Sequence, residues 1–166
     1  ALLQDGDAAR AVEAYEAAIE RAPAGALARS NLGVALADLG RLEDAEAALR
    51  DAIQREPAFV EAHYNLGLAY EEKGLFEKAV DAYRKAVELD PAYTNAYFNL
   101  ANLYMKLQSR QDAIRAYRKV IELDPADLEA YNNLGVAHAM QGEIGRAIGL
   151  WKKVLEIDPH NQKATE

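Results

Sequence analysis

The sequence predicts an all-α fold, an array of stacked helix pairs, and three observations carry that prediction. Pro23, Pro57, Pro91, Pro125 and Pro159 follow one another at a constant spacing of 34 residues. Self-similarity at a fixed period of this size marks a stacked-repeat architecture. The phrase AHYNLGLAYEEKG at 62–74 returns as AYFNLANLYMKLQ at 96–108 and as AYNNLGVAHAMQG at 130–142, and an earlier version, LARSNLGVALADLG, ends at Gly40. Hydrophobic residues make up 51% of the chain but only three of them are Phe, so close helix packing through alanine fits better than a sheet.

Within each period two apolar patterns of helical spacing alternate with short breaks. The pattern opens with a helix near 8–21. Helices at 27–39 and 42–55 follow, then 61–73 and 76–89, 95–107 and 110–123, and 129–141 and 144–157. Gly40, Gly74 and Gly142 stand where a first helix must end, because glycine adopts the left-handed conformation without a Cβ penalty. The prolines close each second helix, since the residue before proline is pushed out of the α region. The single array 1–166 thus divides into a partial repeat 1–25, repeats 26–59, 60–93, 94–127 and 128–161, and the start of a further helix at 162–166. Both termini fall inside a repeat, so the sequence predicts a fragment with apolar end faces and the capacity for end-to-end self-association.

These residues resemble the tetratricopeptide repeat, whose pattern is W-x2-L-G-x2-Y, then A-x3-F, then P, over about 34 residues. The second repeat supplies His63, Leu66, Gly67, Tyr70, Ala79, Tyr83 and Pro91. The third supplies Tyr97, Leu100, Ala101, Tyr104, Ala113, Tyr117 and Pro125, and the fourth Tyr131, Leu134, Gly135, His138, Ala147, Trp151 and Pro159. The first departs at its front, with Arg29 and Leu36 in the aromatic slots, but keeps Leu32, Gly33, Ala45, Leu49 and Pro57. Ala11, Tyr15 and Pro23 match the tail of a still earlier repeat. The resemblance covers essentially the whole chain. It implies a right-handed superhelical solenoid of antiparallel helix pairs, with first helices lining a concave surface that binds other proteins. The small residues Gly33, Gly67, Ala101 and Gly135 would then mark the closest approach to Ala45, Ala79, Ala113 and Ala147.

Each helical residue advances about 100°, so repeat positions sort by face. Counting from residues 26, 60, 94 and 128, positions 4, 7, 8 and 11 form a packing side. Positions 2, 6, 9 and 13 point the opposite way, with 5 and 12 at the border. Position 6 is Asn31, Asn65, Asn99 and Asn133, one amide per repeat on the non-packing side. A primary amide both donates and accepts, so a row of them can grip a peptide backbone without reading its side chains. The row resembles the asparagine ladder in the repeats of O-linked N-acetylglucosamine transferases. The same face offers Tyr64, Leu68, Phe98, Asn102, Met105 and Asn132, with Phe98 beside Tyr64 expected as an exposed aromatic anchor. The competing reading gives the asparagines a packing role.

Other chemistry is scarce. The formal charge of −8 argues against nucleic acid and anionic membranes and for a neutral to basic protein or peptide partner. No apolar run reaches the ~20 residues a membrane span needs. There is no cysteine, and His63 and His138 fall in packing slots while His160 has no partner in reach by sequence. No zinc spacing, phosphate loop or catalytic triad can be argued, so neither metal nor cofactor nor catalysis is expected. A chaperone-type carboxylate clamp is also rejected, because its cationic slots hold Ser30, Val34, Asn95 and Asn99. The sequence therefore predicts a protein-interaction scaffold. The alternatives are the substrate-recruiting arm of a larger enzyme or secretion machine, or a scaffold that self-assembles through its repeat ends.

Overall fold

The computed structural model describes residues 2–22 and 25–158, with side chains described from Asp7 onward. Among these residues the chain forms nine α-helices and no strand. They are α1 (Leu2–Arg21), α2 (Ala26–Asp38), α3 (Leu42–Arg55), α4 (Val60–Glu72), α5 (Phe76–Leu89), α6 (Thr94–Lys106), α7 (Arg110–Leu123), α8 (Leu128–Ala139) and α9 (Ile144–Ile157). The second helices α3, α5, α7 and α9 fall where the sequence puts them, and the first helices begin and end within one or two residues of expectation. The opening helix departs from expectation. It starts at Leu2 rather than near residue 8 and runs through Gly6, since glycine permits a left-handed turn without requiring one. Pro23, Pro159, His160 and the predicted start of a helix at 162–166 lie outside the described residues.

The fold is the all-helical, solenoid type the repeats imply, and it divides into two compact units, Ala1–Pro91 and Ala92–Glu166. In the first unit α1 packs on α2, α2 on α3, α3 on α4 and α4 on α5, and the neighbouring first helices α2 and α4 also touch. In the second, α6 packs on α7, α7 on α8 and α8 on α9.

The small slot works as the spacing predicts. A Cβ built on Gly67 would overlap the Tyr83 ring, one on Gly135 the Trp151 indole, and one on Gly33 the Leu49 side chain. Ala45, Ala79, Ala101, Ala113 and Ala147 are fully buried. The second helix therefore lays one large side chain across the bare backbone of the first, and close packing of this kind leaves no room for even a methyl group.

Burial is wider than the predicted packing side. Positions 3 and 10 are also enclosed: Ala62, Ala96, Ala130, Ala35, Ala69, Leu103 and Ala137 are all buried. A first helix in an array has two partners, its own second helix and the preceding repeat, so a single stripe describes only half of its contacts.

The turn after each first helix also varies. Gly40, Gly74 and Gly142 take φ of 71°, 70° and 79°, and in the third repeat Gln108 takes the same left-handed turn at φ 59°. A Cβ in that region costs roughly 1–2 kcal/mol, so the 94–127 repeat carries backbone strain that its neighbours avoid.

Candidate functional site

The four position-6 asparagines are all half-buried, and their surroundings differ. In the first unit the Asn65 amide of α4 donates to Ser30 Oγ of α2 at 3.2 Å. In the second unit the Asn133 amide of α8 reaches Asn102 Oδ1 of α6 at 3.4 Å, and the same oxygen accepts from the Tyr117 hydroxyl of α7 at 2.5 Å. These bonds join one first helix to the next. Tyr117 is 2% exposed, and its hydroxyl is pushed up to about 12, chiefly by burial. The Asn133 amide works against that shift and the Glu129 carboxylate adds to it. The packing role for the asparagines is thus real at Asn65 and Asn133.

Asn31 stands differently. No hydrogen bond joins it to another described side chain, and it lines a cavity of about 570 Å³ between α1 and α2. Its fellow lining residues are Asp7, Ala8, Ala11, Tyr15, Val34, Ala35 and Asp38. The antiparallel pairing of α1 and α2 explains the arrangement: Asp7 near the start of one helix meets Asp38 at the end of the other.

A second concavity, about 200 Å³, gathers Asn102, Met105, Asn133 and Val136 over the Tyr117 ring. Three residues singled out in the sequence therefore meet at one place in the second unit. Leu68, 36% exposed, Val34 and Val136 present apolar surface on the expected face.

Two expectations are corrected. Phe98 is not a free anchor: it is half-buried, packs on the cluster around Ala101, Ala113 and Leu134, and meets Tyr117 edge-on with centroids 6.1 Å apart. Tyr64 likewise is half-buried, its ring 5.7 Å from that of Tyr83. Asn132 is 5% exposed and offers no amide to a groove; its carbonyl accepts from the Trp151 indole at 3.4 Å. The physical reason is common to all three. Position 5 covers the large residue on the second helix, so it belongs to the hairpin core rather than to the border. Asn99 remains half-buried in α6.

Sequence reasoning overlooked the partners that tie the asparagines down. Ser30 is small and polar where the middle repeats hold Tyr64 and Phe98 and the last holds Asn132, and Asn102 is polar where the others hold Val34, Leu68 and Val136. Those two departures were the available signal.

The histidines lie where the packing slots imply. His63 bonds the Pro57 carbonyl at 3.0 Å, and His138, 3% exposed, meets Glu143 at 2.5 Å. That contact is the first cause holding the Glu143 carboxyl below its usual range, with Arg146 adding to it. Among the described residues no group of His, Asp and Glu could hold a metal ion, and no helix is long and apolar enough to cross a membrane.

Comparison with known proteins agrees with this geometry. The model of the cytochrome c-type biogenesis protein H TPR domain matches residues 38–165, and a tetratricopeptide-repeat model matches residues 1–57. A crystal structure of MamA superposes with TM-score 0.85 at 30% identity, covering 97% of this chain and 93% of that one. A second MamA structure gives 0.83 at 30% identity, covering 93% and 84%. MamA from Desulfovibrio magneticus RS-1, at 21% identity, shares the fold with TM-score 0.82 over 96% and 90% of the two chains. No curated protein matches the chain. On the repeat register, the buried small slots and these matches, the chain belongs to the tetratricopeptide-repeat family.

Proposed function

We propose that this protein is an interaction scaffold that holds an extended or helical segment of a partner protein against its first helices, with no catalytic step of its own. The observation that carries the reading is the meeting of Asn102, Met105, Asn133 and Val136 in one concavity, where apolar surface lies beside amides that keep hydrogen-bonding capacity. Each amide already tied to a neighbour still has a second donor hydrogen, so structural and binding roles coexist. The charge of −8 favours a neutral or basic segment.

Affinity capture with this chain, read by mass spectrometry, would identify partners, and a peptide from the recovered protein would then be titrated against variants. Val136 is 44% exposed, so Val136→Arg should leave the melting temperature unchanged while weakening binding about tenfold or more. Undiminished binding by that variant would remove the concave face as the site.

A second reading makes the chain the substrate-recruiting arm of a larger machine. The match to a TPR domain of a cytochrome c-type biogenesis protein favours it. It expects the protein to co-purify with components of cytochrome c assembly; recovery free of them, with other partners, would set it aside.

A further inference from the structure

We infer that the cleft where α7, α8 and α9 meet is a second binding site of the scaffold, one that takes an acidic side chain and its apolar neighbour from a partner segment. Arg118 of α7, Leu134 and His138 of α8, and Arg146, Gly149 and Leu150 of α9 line a cavity of about 320 Å³. It shares no lining residue with the concavity of Asn102, Met105, Asn133 and Val136. The cleft lies at an inner junction of the array. Leu150 packs on the cluster around Ala113 and Leu134, and its equivalents in the two preceding repeats, Ala82 and Ala116, are buried.

Two departures from the repeat pattern open the cleft. Ala47, Asp81 and Arg115 stand where this repeat has Gly149, and a Cβ added there meets nothing within 4 Å. Tyr70 and Tyr104 stand where it has the smaller His138, whose ring is held by Glu143. The same changes leave a cation without its usual partners. At the matching junction of the first unit, Arg50 bonds the Tyr70 hydroxyl at 2.9 Å and pairs with Glu46 at 3.2 Å. Arg118 occupies the slot of Arg50, but His138 and Ile114 replace that tyrosine and that acid. Among the described residues it has no ion pair or hydrogen bond from its side chain. The nearby acids are already paired, Asp112 with Arg115, Glu122 with Lys119 and Glu156 with Lys153. Arg146 holds Glu143 through Nη1 alone, at 2.9 and 3.0 Å, so its other donors stay available.

Two guanidiniums beside an apolar floor of Leu134 and Leu150 suit a carboxylate, which each guanidinium can meet through paired donors. An apolar neighbour of the acidic residue would cover the two leucines, and the volume is at the small end for a ligand pocket, enough for two side chains. The concave face favours a neutral or basic segment, so this cleft gives the scaffold a surface of opposite preference.

The probe is the dipeptide N-acetyl-Leu-Glu-amide, followed by amide and side-chain NMR shifts on the full chain. N-acetyl-Leu-Gln-amide serves as the uncharged isostere, and N-acetyl-Gly-Glu-amide lacks the apolar side chain. The expected result is saturable shifts centred on Arg118, Leu134, Gly149 and Leu150, with both analogues binding about tenfold more weakly. Arg118 is exposed, so Arg118→Gln should fold normally and abolish the preference for the glutamate peptide over the glutamine one. Gly149→Leu, which fills the cleft, should abolish binding at an unchanged or higher melting temperature. Where that variant melts lower, Arg118→Gln decides. Equal response to the glutamate and glutamine peptides, shifts spread over every surface arginine and lysine, full binding by Gly149→Leu, or an unchanged preference in Arg118→Gln would each overturn the inference. The concave site stands or falls separately, through Val136→Arg.

Discussion

The two compact units build the same repeat with different chemistry. In the first, helices are tied by charge: Arg29 of α2 is buried and paired with Asp51 of α3, and Lys73 at the end of α4 bonds Glu46 of α3 at 2.7 Å. Tyr70 joins that group, donating to Glu46 at 3.1 Å and accepting from Arg50 at 2.9 Å. In the second, the ties are mostly neutral. Tyr117, Asn102 and Asn133 form one chain of hydrogen bonds across α7, α6 and α8, and the Trp151 indole bonds the Asn132 carbonyl. An amide is spent on a neighbouring first helix in both units, Asn65 on Ser30 and Asn133 on Asn102, so the asparagines are partly used before a ligand arrives whichever chemistry holds the helices.

The contrast breaks most visibly at Asn102. Asn102→Ala removes the acceptor of a buried tyrosine hydroxyl, which should cost about 1–3 kcal/mol in denaturant unfolding. Asn31→Ala, with no described partner to orphan, should stay within about 0.5 kcal/mol of wild type. Similar losses for the two variants would erase the distinction between tied and open amides.

Titration sharpens it next. Tyr117 ionises near 10 when unfolded and is pushed up to about 12 in the fold. Its neutral form therefore stabilises the fold below pH 10, and that contribution, roughly 2–3 kcal/mol at most, is lost as pH rises from 10 to 12. Tyr117→Phe should flatten the alkaline side of the stability curve. On the acid side the first unit has its own limit. Glu46 is lowered first by its hydrogen bond from Lys73, and Asp51 first by that from Arg29. Stability from these carboxylates is full above their ordinary values and is lost as pH falls through the lowered ones. Hydrogen exchange at pH 3 to 4 should show α3 and α4 opening sooner than at neutral pH.

Backbone effects come last. Gly145 and Gly149 interrupt α9, and a Cβ at either meets nothing within 4 Å. Gly149→Ala should stabilise the protein by up to about 1 kcal/mol. Helix α9 buries only Ala147 and Val154, whereas α5 buries Ala79, Ala82, Tyr83 and Ala86. Amides of 144–157 should therefore exchange faster than those of 76–89. Gln108→Gly should relieve the left-handed turn and raise stability by about 1 kcal/mol.

How far the sequence could be read follows from what each feature depends on. The proline period, the turn glycines and the small slots depend on one hairpin, and hairpin rules are local. The burial of Phe98 and Asn132 was not legible, because position 5 looks like a border on a helical wheel. Only the size of Tyr117 and Trp151 on the facing helix draws it inward. The fate of each asparagine was less legible still. It turns on one residue of the neighbouring repeat, Ser30 for Asn65 and Asn102 for Asn133.

The claim that the concavity of Asn102, Met105, Asn133 and Val136 holds a partner segment is tested most directly by one paired measurement. Affinity for a captured partner peptide and melting temperature would be recorded together for Val136→Arg and Asn133→Ala. Val136→Arg should bind about tenfold more weakly at an unchanged melting temperature, because Val136 is exposed. Asn133→Ala should bind more weakly by about 0.5–1.5 kcal/mol and also melt lower, because it loses its bond to Asn102. A Val136→Arg protein that binds like wild type would contradict the account.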